Sequence, residues 1–282
     1  MRINAHTHGM HAERNADGKL VPPLMPAWRP GQGQAPVEAI IKTHRSQGIE
    51  QVIALDPPDI CFELRKSFGD FVIAAPQVRM DESSPQEIAD IMAQGAVGIK
   101  FIAPMRSYGD RAYFPLYETV RNLRGLAIFH TGYLGRGLFE PGCVLGRPDY
   151  VDITHMRPAS LDRISRAFPD LKIIMAHFGN PWWEEAWTVL KSCPNIYAEL
   201  SGGTAYRKPM SMWTNLFAAN GVLHTDSVSR LCFANDGEVV TTDPNYYAKI
   251  IDFHERLYDA LKLPDEIRRR IDRENILRLM KR

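Results

Sequence analysis

The sequence predicts an α/β protein, and more specifically one (β/α)₈ TIM barrel domain that spans residues 1–282. Three observations lead to this prediction. Eight short apolar runs recur along the chain, and most of them are followed by an amphipathic stretch with helical spacing. Several runs, such as VIAL, LAIF and IIMA, are continuously apolar, which is typical of parallel strands buried on both faces. A length of 282 residues is common for a single barrel domain.

Each apolar run is predicted to form one strand of the barrel. The eight runs are Arg2–Ala5, Gln51–Leu55, Phe71–Pro76, Val97–Phe101, Leu126–Phe129, Lys172–Ala176, Ile196–Glu199 and Arg230–Ala234. Strands that alternate with helices imply βαβ units with right-handed crossovers. Eight such units favour closure into a barrel, and an open doubly wound sheet is the alternative.

The segments between the strands show helical signals. Ser84-Pro85-Gln86-Glu87 is a capping box with proline at the first helical position, and it opens a helix that ends near Gly95. Amphipathic spacing predicts three further helices, at Ala35–Gly48, Pro158–Phe168 and Asn245–Leu261.

Two connections are long, at about residues 9–34 and 133–157. Connections of this length without regular structure are usually binding loops or lids. Both would leave the carboxyl ends of strands, the face of a barrel where chemistry takes place.

The composition excludes several classes of protein. Apolar residues make up 45% and charged residues 24% of the chain, and the net charge is +1, so no global field attracts nucleic acid or a membrane. The triplet Arg268–Arg270 is interpreted as a solvated helix face. The four cysteines show no CxxC spacing, which favours a reducing cytoplasm. No apolar run approaches the roughly 18 residues of a membrane span, and the first is too short for a signal peptide.

The chemistry-bearing residues lie where the predicted strands end. His6 and His8 form an HxH pair on the first strand, and residues two apart on a strand share one face, so both imidazoles can reach one ion. Lys100 falls on the fourth strand, His130 and His177 follow the fifth and sixth, and Asp236 follows the eighth. Imidazole and carboxylate are the ligand types that zinc and similar divalent ions prefer.

Each of these residues taken singly has a simpler interpretation. His177 could be a hydrogen-bonded structural histidine, Lys100 a salt-bridge partner, and Asp236 a turn residue in the sequence Asn-Asp-Gly. Their coincidence at five strand ends favours a joint metal site over five separate explanations.

With these residues at its strand ends, the sequence resembles the amidohydrolase superfamily. Within it, the sequence is most similar to the amidohydrolase-related (amidohydrolase 2) branch, which includes aminocarboxymuconate-semialdehyde decarboxylase-like enzymes. The similar segments follow the family order over nearly the whole chain: Asn4-Ala5-His6-Thr7-His8, Gly98-Ile99-Lys100-Phe101, Phe114-Pro115-Leu116-Tyr117-Glu118, Phe129-His130-Thr131-Gly132, Phe168-Pro169-Asp170-Leu171-Lys172, Ala176-His177-Phe178-Gly179 and Glu274-Asn275-Ile276-Leu277. One departure concerns the eighth strand, where the family often has Ser-Asp-aromatic-Pro and this chain has Ala234-Asn235-Asp236-Gly237-Glu238.

The chemistry and the resemblance together imply one divalent ion, zinc first and manganese second, on His6, His8, His130 and Asp236. Asp236 would move protons and His177 would act as a catalytic helper. The alternative is a binuclear site, in which a carbamylated Lys100 bridges two ions and His177 becomes a ligand.

Two reaction classes remain open for a small-molecule substrate. The first is hydrolysis of an amide, ester or lactone through a metal-activated water, which is favoured. The second is non-oxidative decarboxylation of a small aromatic or unsaturated carboxylic acid. The sequence is compatible with a homo-oligomer and gives no oligomeric state. The candidate substrate contacts, all in strand-end loops, are Arg106, Tyr108, Tyr133, Arg136 and Trp182.

Overall fold

The structure is a computed structural model that describes residues 1–9, 13–14, 20–21, 36–134, 152–202, 205–239, 241 and 243–281. All eight predicted strands are present. We number them β1 (Arg2–His8), β2 (Ile49–Ala54), β3 (Val72–Ala74), β4 (Gly98–Ile102), β5 (Leu126–His130), β6 (Lys172–Ala176), β7 (Ile196–Glu199) and β8 (Leu231–Cys232). The protein is a parallel (β/α)₈ barrel, as the sequence predicts.

The parallel strands pair in two sheets that meet at β3 and at β8. One sheet has the order Gly237–Glu238, β1, β2, β3, and the other has the order β8, β7, β6, β5, β4, Gln77–Arg79. At the first boundary, Val97 N–H donates to the carbonyl of Ala74 at 2.9 Å. At the second, Ala5 N–H donates to the carbonyl of Phe233 at 2.9 Å. Backbone hydrogen bonds therefore continue from one sheet to the other at both boundaries.

Helices follow the strands in the alternating order that the sequence predicts. They are α1 (Val37–Ser46), α2 (Pro58–Phe68), α3 (Pro85–Ala93), α4 (Phe114–Asn122), α5 (Ala159–Ala167), α6 (Trp183–Ser192), α7 (Met210–Phe217), α8 (Thr225–Val228), α9 (Ala248–Ala260), α10 (Asp265–Arg269) and α11 (Asn275–Met280), with a π-helical turn at Arg270–Glu274 between the last two. The predicted cap of α3 is present, because the Ser84 hydroxyl accepts from the Glu87 N–H at 3.2 Å.

Short elements complete the described chain. Two are antiparallel hairpins, Glu13–Arg14 with Leu20–Val21 and Ala218–Ala219 with Val222–Leu223. Five are 3₁₀ turns, at Gly69–Phe71, Arg111–Tyr113, Ile153–Met156, His177–Gly179 and Ala205–Arg207. Most of the two predicted long connections, 9–34 and 133–157, lies outside the described residues. In the part of the chain that the structure describes, no helix is long and apolar enough to cross a membrane.

The apolar core explains why the polar strand ends gather on one face. One buried cluster combines residues from most strands, including Ile3, Ile53, Ile128 and Ile174, with Ile276 from α11. Side chains from strands of both sheets can meet in this way only inside the ring. The apolar interior thus fixes the strand positions, and the residues at the carboxyl ends of the strands converge above it.

Candidate metal centre and active site

The structure brings together all six polar residues that the sequence places at strand ends. Asp236 lies at the centre, because its Oδ1 is 3.3 Å from His6 Nε2 and 3.3 Å from His8 Nε2. Lys100 Nζ lies 3.4 Å from His6 Nε2. The HxH pair therefore reaches one common point through its two Nε2 atoms, as strand geometry predicts.

His130 and His177 form the second part of this cluster. His177 Nε2 lies 3.1 Å from His130 Nδ1, and the imidazole of His177 lies 4.6 Å from that of His6 between ring centroids. The Nε2 atom of His130 is buried and has no hydrogen-bond partner among the described residues. A buried polar atom without a partner is costly unless a ligand satisfies it, so this nitrogen is a candidate ligand atom.

The turn that positions Asp236 depends on two asparagines. Asn4 in β1 donates from Nδ2 to Asn235 Oδ1 at 2.7 Å, and Asn4 Oδ1 accepts from the Asn235 N–H at 3.2 Å. Asp236 itself has a φ of 57°, a left-handed conformation that aspartate adopts more readily than most residues. Its N–H donates to the carbonyl of His6 at 3.0 Å. Asp236 is therefore both a residue of the Asn-Asp-Gly turn and a member of the polar cluster, so the two interpretations of the sequence are compatible.

Two buried carboxylates that sequence analysis did not single out lie behind the HxH pair. Glu199 Oε1 lies 2.7 Å from His6 Nδ1, and Asp56 Oδ1 lies 3.4 Å from His8 Nδ1. Each histidine thus has a carboxylate at Nδ1 and Asp236 at Nε2. Both acids follow the apolar part of a strand, at the position that identified the histidines. Their position at strand ends was the one feature of the sequence that could have identified these two acids as site residues.

The pKa values of the site follow from burial and from this crowding. Burial alone would raise the pKa of Asp236, but His6, His177 and His8 lower it well below its usual range. Burial lowers the pKa of His177 to about 4. Burial also opposes the charged form of His8, yet Asp236 and Asp56 together raise its pKa to about 9. At neutral pH the site therefore contains an ionised Asp236 and a neutral His177.

Lys100 is buried on β4 beneath the histidines. Burial lowers its pKa to about 8, although Glu199 and Asp236 act in the opposite direction. The lysine therefore loses its proton more readily than an exposed one, which is the condition that carbamylation requires.

The five candidate substrate contacts have different environments. Arg106 and Tyr133 are exposed, the latter to 57%. Tyr108 has no exposed surface, and its hydroxyl lies within hydrogen-bond distance of the carbonyls of Phe101 and His130, so it links the carboxyl ends of β4 and β5. Arg136 lies outside the described residues.

Trp182 lies at a groove of about 620 Å³ beside α6 and α7. The guanidinium of Arg157 lies 5.1 Å from the centroid of the Trp182 ring. The described residues that line this groove include none of the six clustered at Asp236. Contacts between a substrate and any of the five candidates remain predictions.

Comparisons with known proteins agree with this geometry. A family model described as amidohydrolase matches residues 4–282. The search of curated proteins finds no match.

Several solved structures share the fold at low sequence identity. An uncharacterised TIM-barrel protein from Bordetella bronchiseptica is 18% identical with a TM-score of 0.64, and the match covers 99% of this chain and 98% of that one. A 2,6-dihydroxybenzoate decarboxylase from Rhizobium is 16% identical with a TM-score of 0.62, with the same coverage. A probable 2-pyrone-4,6-dicarboxylic acid hydrolase from Acinetobacter baumannii is 12% identical with a TM-score of 0.59, again with 99% and 98% coverage.

Proposed function

The chain belongs to the amidohydrolase family, in its amidohydrolase 2 branch, and we propose that it is a metal-dependent hydrolase of a small amide, ester or lactone. One observation motivates the proposal: His6 Nε2 and His8 Nε2 both lie 3.3 Å from Asp236 Oδ1, beside the His130–His177 pair. Members of the family are enzymes that act on small molecules, so the proposal concerns the reaction and the residues that perform it.

The residues present suit a divalent ion. We propose that His6, His8, His130 and Asp236 hold one ion, with zinc as the first candidate and manganese as the second. The unpartnered His130 Nε2 supports this set. When bound, the ion would polarise the substrate carbonyl and lower the pKa of an attacking water.

A binuclear site is the alternative to this mononuclear one. His6, His177 and Asp236 offer ligand atoms that all lie within 4.8 Å of one another, so His177 can also be a ligand. In the alternative, Lys100 would be carbamylated. Electron density beyond Lys100 Nζ, in a crystal grown with metal, separates the two arrangements.

Asp236 and His177 would perform the proton transfers and the charge stabilisation. The ionised carboxylate of Asp236 is 30% exposed, so it can accept the proton of the attacking water and return it to the leaving group. His177 is neutral, and Ser201 Oγ lies 3.0 Å from its Nδ1, so its orientation is fixed on one side. A fixed imidazole N–H can stabilise the oxyanion that develops on the substrate.

Decarboxylation of a small carboxylic acid is the second candidate. The reason to test it is that the Rhizobium decarboxylase and the probable hydrolase share this fold to a similar degree, so the fold does not separate the two reactions. The two reactions leave different products. We therefore propose incubation with a panel of lactones and amides, followed by acid titration, and with a panel of aromatic carboxylates, followed by carbon dioxide detection. Release of acid from a lactone or an amide supports the hydrolase. Release of carbon dioxide without any release of acid would contradict the hydrolase and support the decarboxylase.

The metal requirement has its own test. Protein purified without added metal should contain about one equivalent of divalent ion per chain by elemental analysis, because the proposed site offers four ligand groups. A chelator should remove the ion and the activity together, and zinc should restore both. Protein that contains no metal, and whose activity is unchanged by the chelator, would contradict the proposal.

A further inference from the structure

A single buried carboxylate connects three segments of the site. Glu199 ends β7 and has no exposed surface. Its Oε1 lies 2.7 Å from His6 Nδ1 and accepts from the His177 N–H at 3.1 Å. Its Oε2 accepts from the Ser201 N–H at 2.5 Å. Glu199 therefore contacts β1, the end of β6 and the end of β7 at once.

These contacts determine where the proton of His6 lies. The backbone N–H groups of His177 and Ser201 can only donate, so both oxygens of Glu199 already act as acceptors. A carboxylate can only accept, and Glu199 Oε1 lies 2.7 Å from His6 Nδ1, so the proton of this contact is on Nδ1 and the lone pair of His6 is on Nε2. Nε2 faces a donor, Lys100 Nζ, at 3.4 Å and an acceptor, Asp236 Oδ1, at 3.3 Å, so the shorter contact with Glu199 decides the tautomer.

The same carboxylate holds an unusual stretch of backbone. His177 has a φ of 59° and Phe178 a φ of 46°, left-handed conformations that cost free energy for residues other than glycine. The hydrogen bond from the His177 N–H to Glu199 and the contact of Ser201 Oγ with His177 Nδ1 act against that cost. The direction of the His177 ring thus depends on Glu199, which accepts from its backbone N–H, and on Ser201, which contacts its Nδ1.

We propose that Glu199 is a positioning residue of the site: its carboxylate holds His6 in the tautomer that presents Nε2 to Asp236 and fixes the backbone from which His177 extends. The effect on metal affinity rests on the proposed function, because it requires His6 Nε2 to bind the ion. Carboxylate partners of metal-binding histidines are typically worth about 10–100-fold in metal affinity. Asp56 faces His8 Nδ1 at the longer distance of 3.4 Å, and its Oδ2 accepts from the Gly9 N–H at 2.6 Å, so these two contacts join it to a single segment, whereas Glu199 contacts three.

The experiment compares the zinc affinity of Glu199→Gln with that of the wild type, by competition with a chromophoric chelator. Glutamine has nearly the same shape, but it offers one acceptor oxygen where Glu199 uses two. We expect the zinc dissociation constant to rise about 10–100-fold. The matched control is Asp272→Asn, which removes a carboxylate that contacts Arg2 and Tyr258, and we expect its zinc affinity to be unchanged. If Glu199→Gln does not fold, Glu199→Asp replaces it, since the shorter side chain cannot keep all three contacts.

A zinc affinity of the folded Glu199 variant equal to that of the wild type would overturn the positioning role while leaving the metal-dependent function intact. A second readout needs no metal. In the imidazole ¹⁵N spectrum of metal-free wild type, with His6 assigned by its loss in His6→Asn, we expect the Nδ1–H tautomer. The Nε2–H tautomer would overturn the proposal. If the wild type binds no zinc and His6 is nevertheless the Nδ1–H tautomer, the metal function fails and the positioning role stands.

Discussion

The two ends of the barrel both bury charged groups, but they pair them differently. At the amino end, Arg2 begins β1, donates from Nε to Asp272 Oδ1 at 3.2 Å, and also contacts Glu255. The hydroxyl of Tyr258 donates to the same Asp272 oxygen at 2.8 Å. The guanidinium thus meets two carboxylates, and Asp272 is bound by two donors.

At the carboxyl end, groups that repel one another in their charged forms lie around Asp236, with the carboxylates of Glu199 and Asp56 behind the histidines. His6, His8 and Lys100 all lie near Asp236, and Lys100 adds to burial in holding the pKa of His6 well below its usual value. Such an arrangement is costly in the absence of a ligand and suits the binding of one. The comparison indicates that the amino end serves stability and the carboxyl end serves chemistry, a division common to barrel enzymes.

The largest expected effect comes from removing the central carboxylate at the carboxyl end. Asp236→Asn should lower turnover by about 10²–10⁴-fold, because the amide cannot accept a proton. The melting temperature should change little, since the amide has nearly the same shape. The assay is steady-state turnover of a substrate found in the panels, with thermal unfolding measured in parallel. More than about a tenth of wild-type turnover, with normal melting, would remove Asp236 from proton transfer.

A change at the amino end should have the opposite outcome. Arg2→Met should lower the free energy of unfolding by about 3 kcal/mol, because it leaves Asp272 partly buried without its cation. This value lies at the low end of the loss in stability expected when a buried ion pair is broken, because water partly screens the pair: Arg2 is 12% exposed and Glu255 is 45% exposed. Urea unfolding measures the loss, and turnover at a temperature where the variant is folded should match the wild type. A large loss of turnover in folded Arg2→Met would show that the two ends are coupled.

The sequence predicted much of this fold because periodicity and strand-end position are local signals. All eight strands lie where the apolar runs placed them, and the amidohydrolase family membership is confirmed. Boundaries differ where pairing continues beyond the apolar run: β1 extends to His8, because Thr7 and His8 pair with Gly237 and Glu238. The third strand is divided by Ala75-Pro76, and its second part, Gln77–Arg79, pairs with β4.

The supporting carboxylates could not be predicted because their role depends on contacts between distant segments. Glu199 lies next to His6 across 193 positions of sequence, and a buried glutamate at a strand end gives no sign of its partner. Tyr108 shows that strand-end position alone does not determine the surroundings of a side chain. Its place in a strand-end loop predicts a substrate contact, which stays a prediction, and its ring packs edge-on against Phe129 in the core. Position along the chain indicates which face of the barrel a residue occupies, and burial decides what it touches.

The smallest effect that we predict concerns a histidine near the amino end. His254 is buried against Phe233, and burial, with a further contribution from Arg2, lowers its pKa to about 3 from the ordinary 6.5. Above pH 6.5 both the folded and the unfolded states are neutral at this residue. Between pH 6.5 and pH 3 only the unfolded state takes up the proton, so stability falls as the pH falls.

Since one pH unit in this window corresponds to about 1.4 kcal/mol, His254 should contribute a loss of about 2 kcal/mol between pH 6.5 and pH 5. His254→Phe keeps an aromatic ring in the same apolar surroundings and removes the titration. Urea unfolding of both proteins at pH 7.5 and pH 5 should show a smaller acid-induced loss in the variant. The buried histidines of the site are common to the two proteins, so their contribution cancels in the difference. Equal losses would mean that His254 is already protonated in the folded protein, and the amino end would then hold a second buried cation beside Arg2.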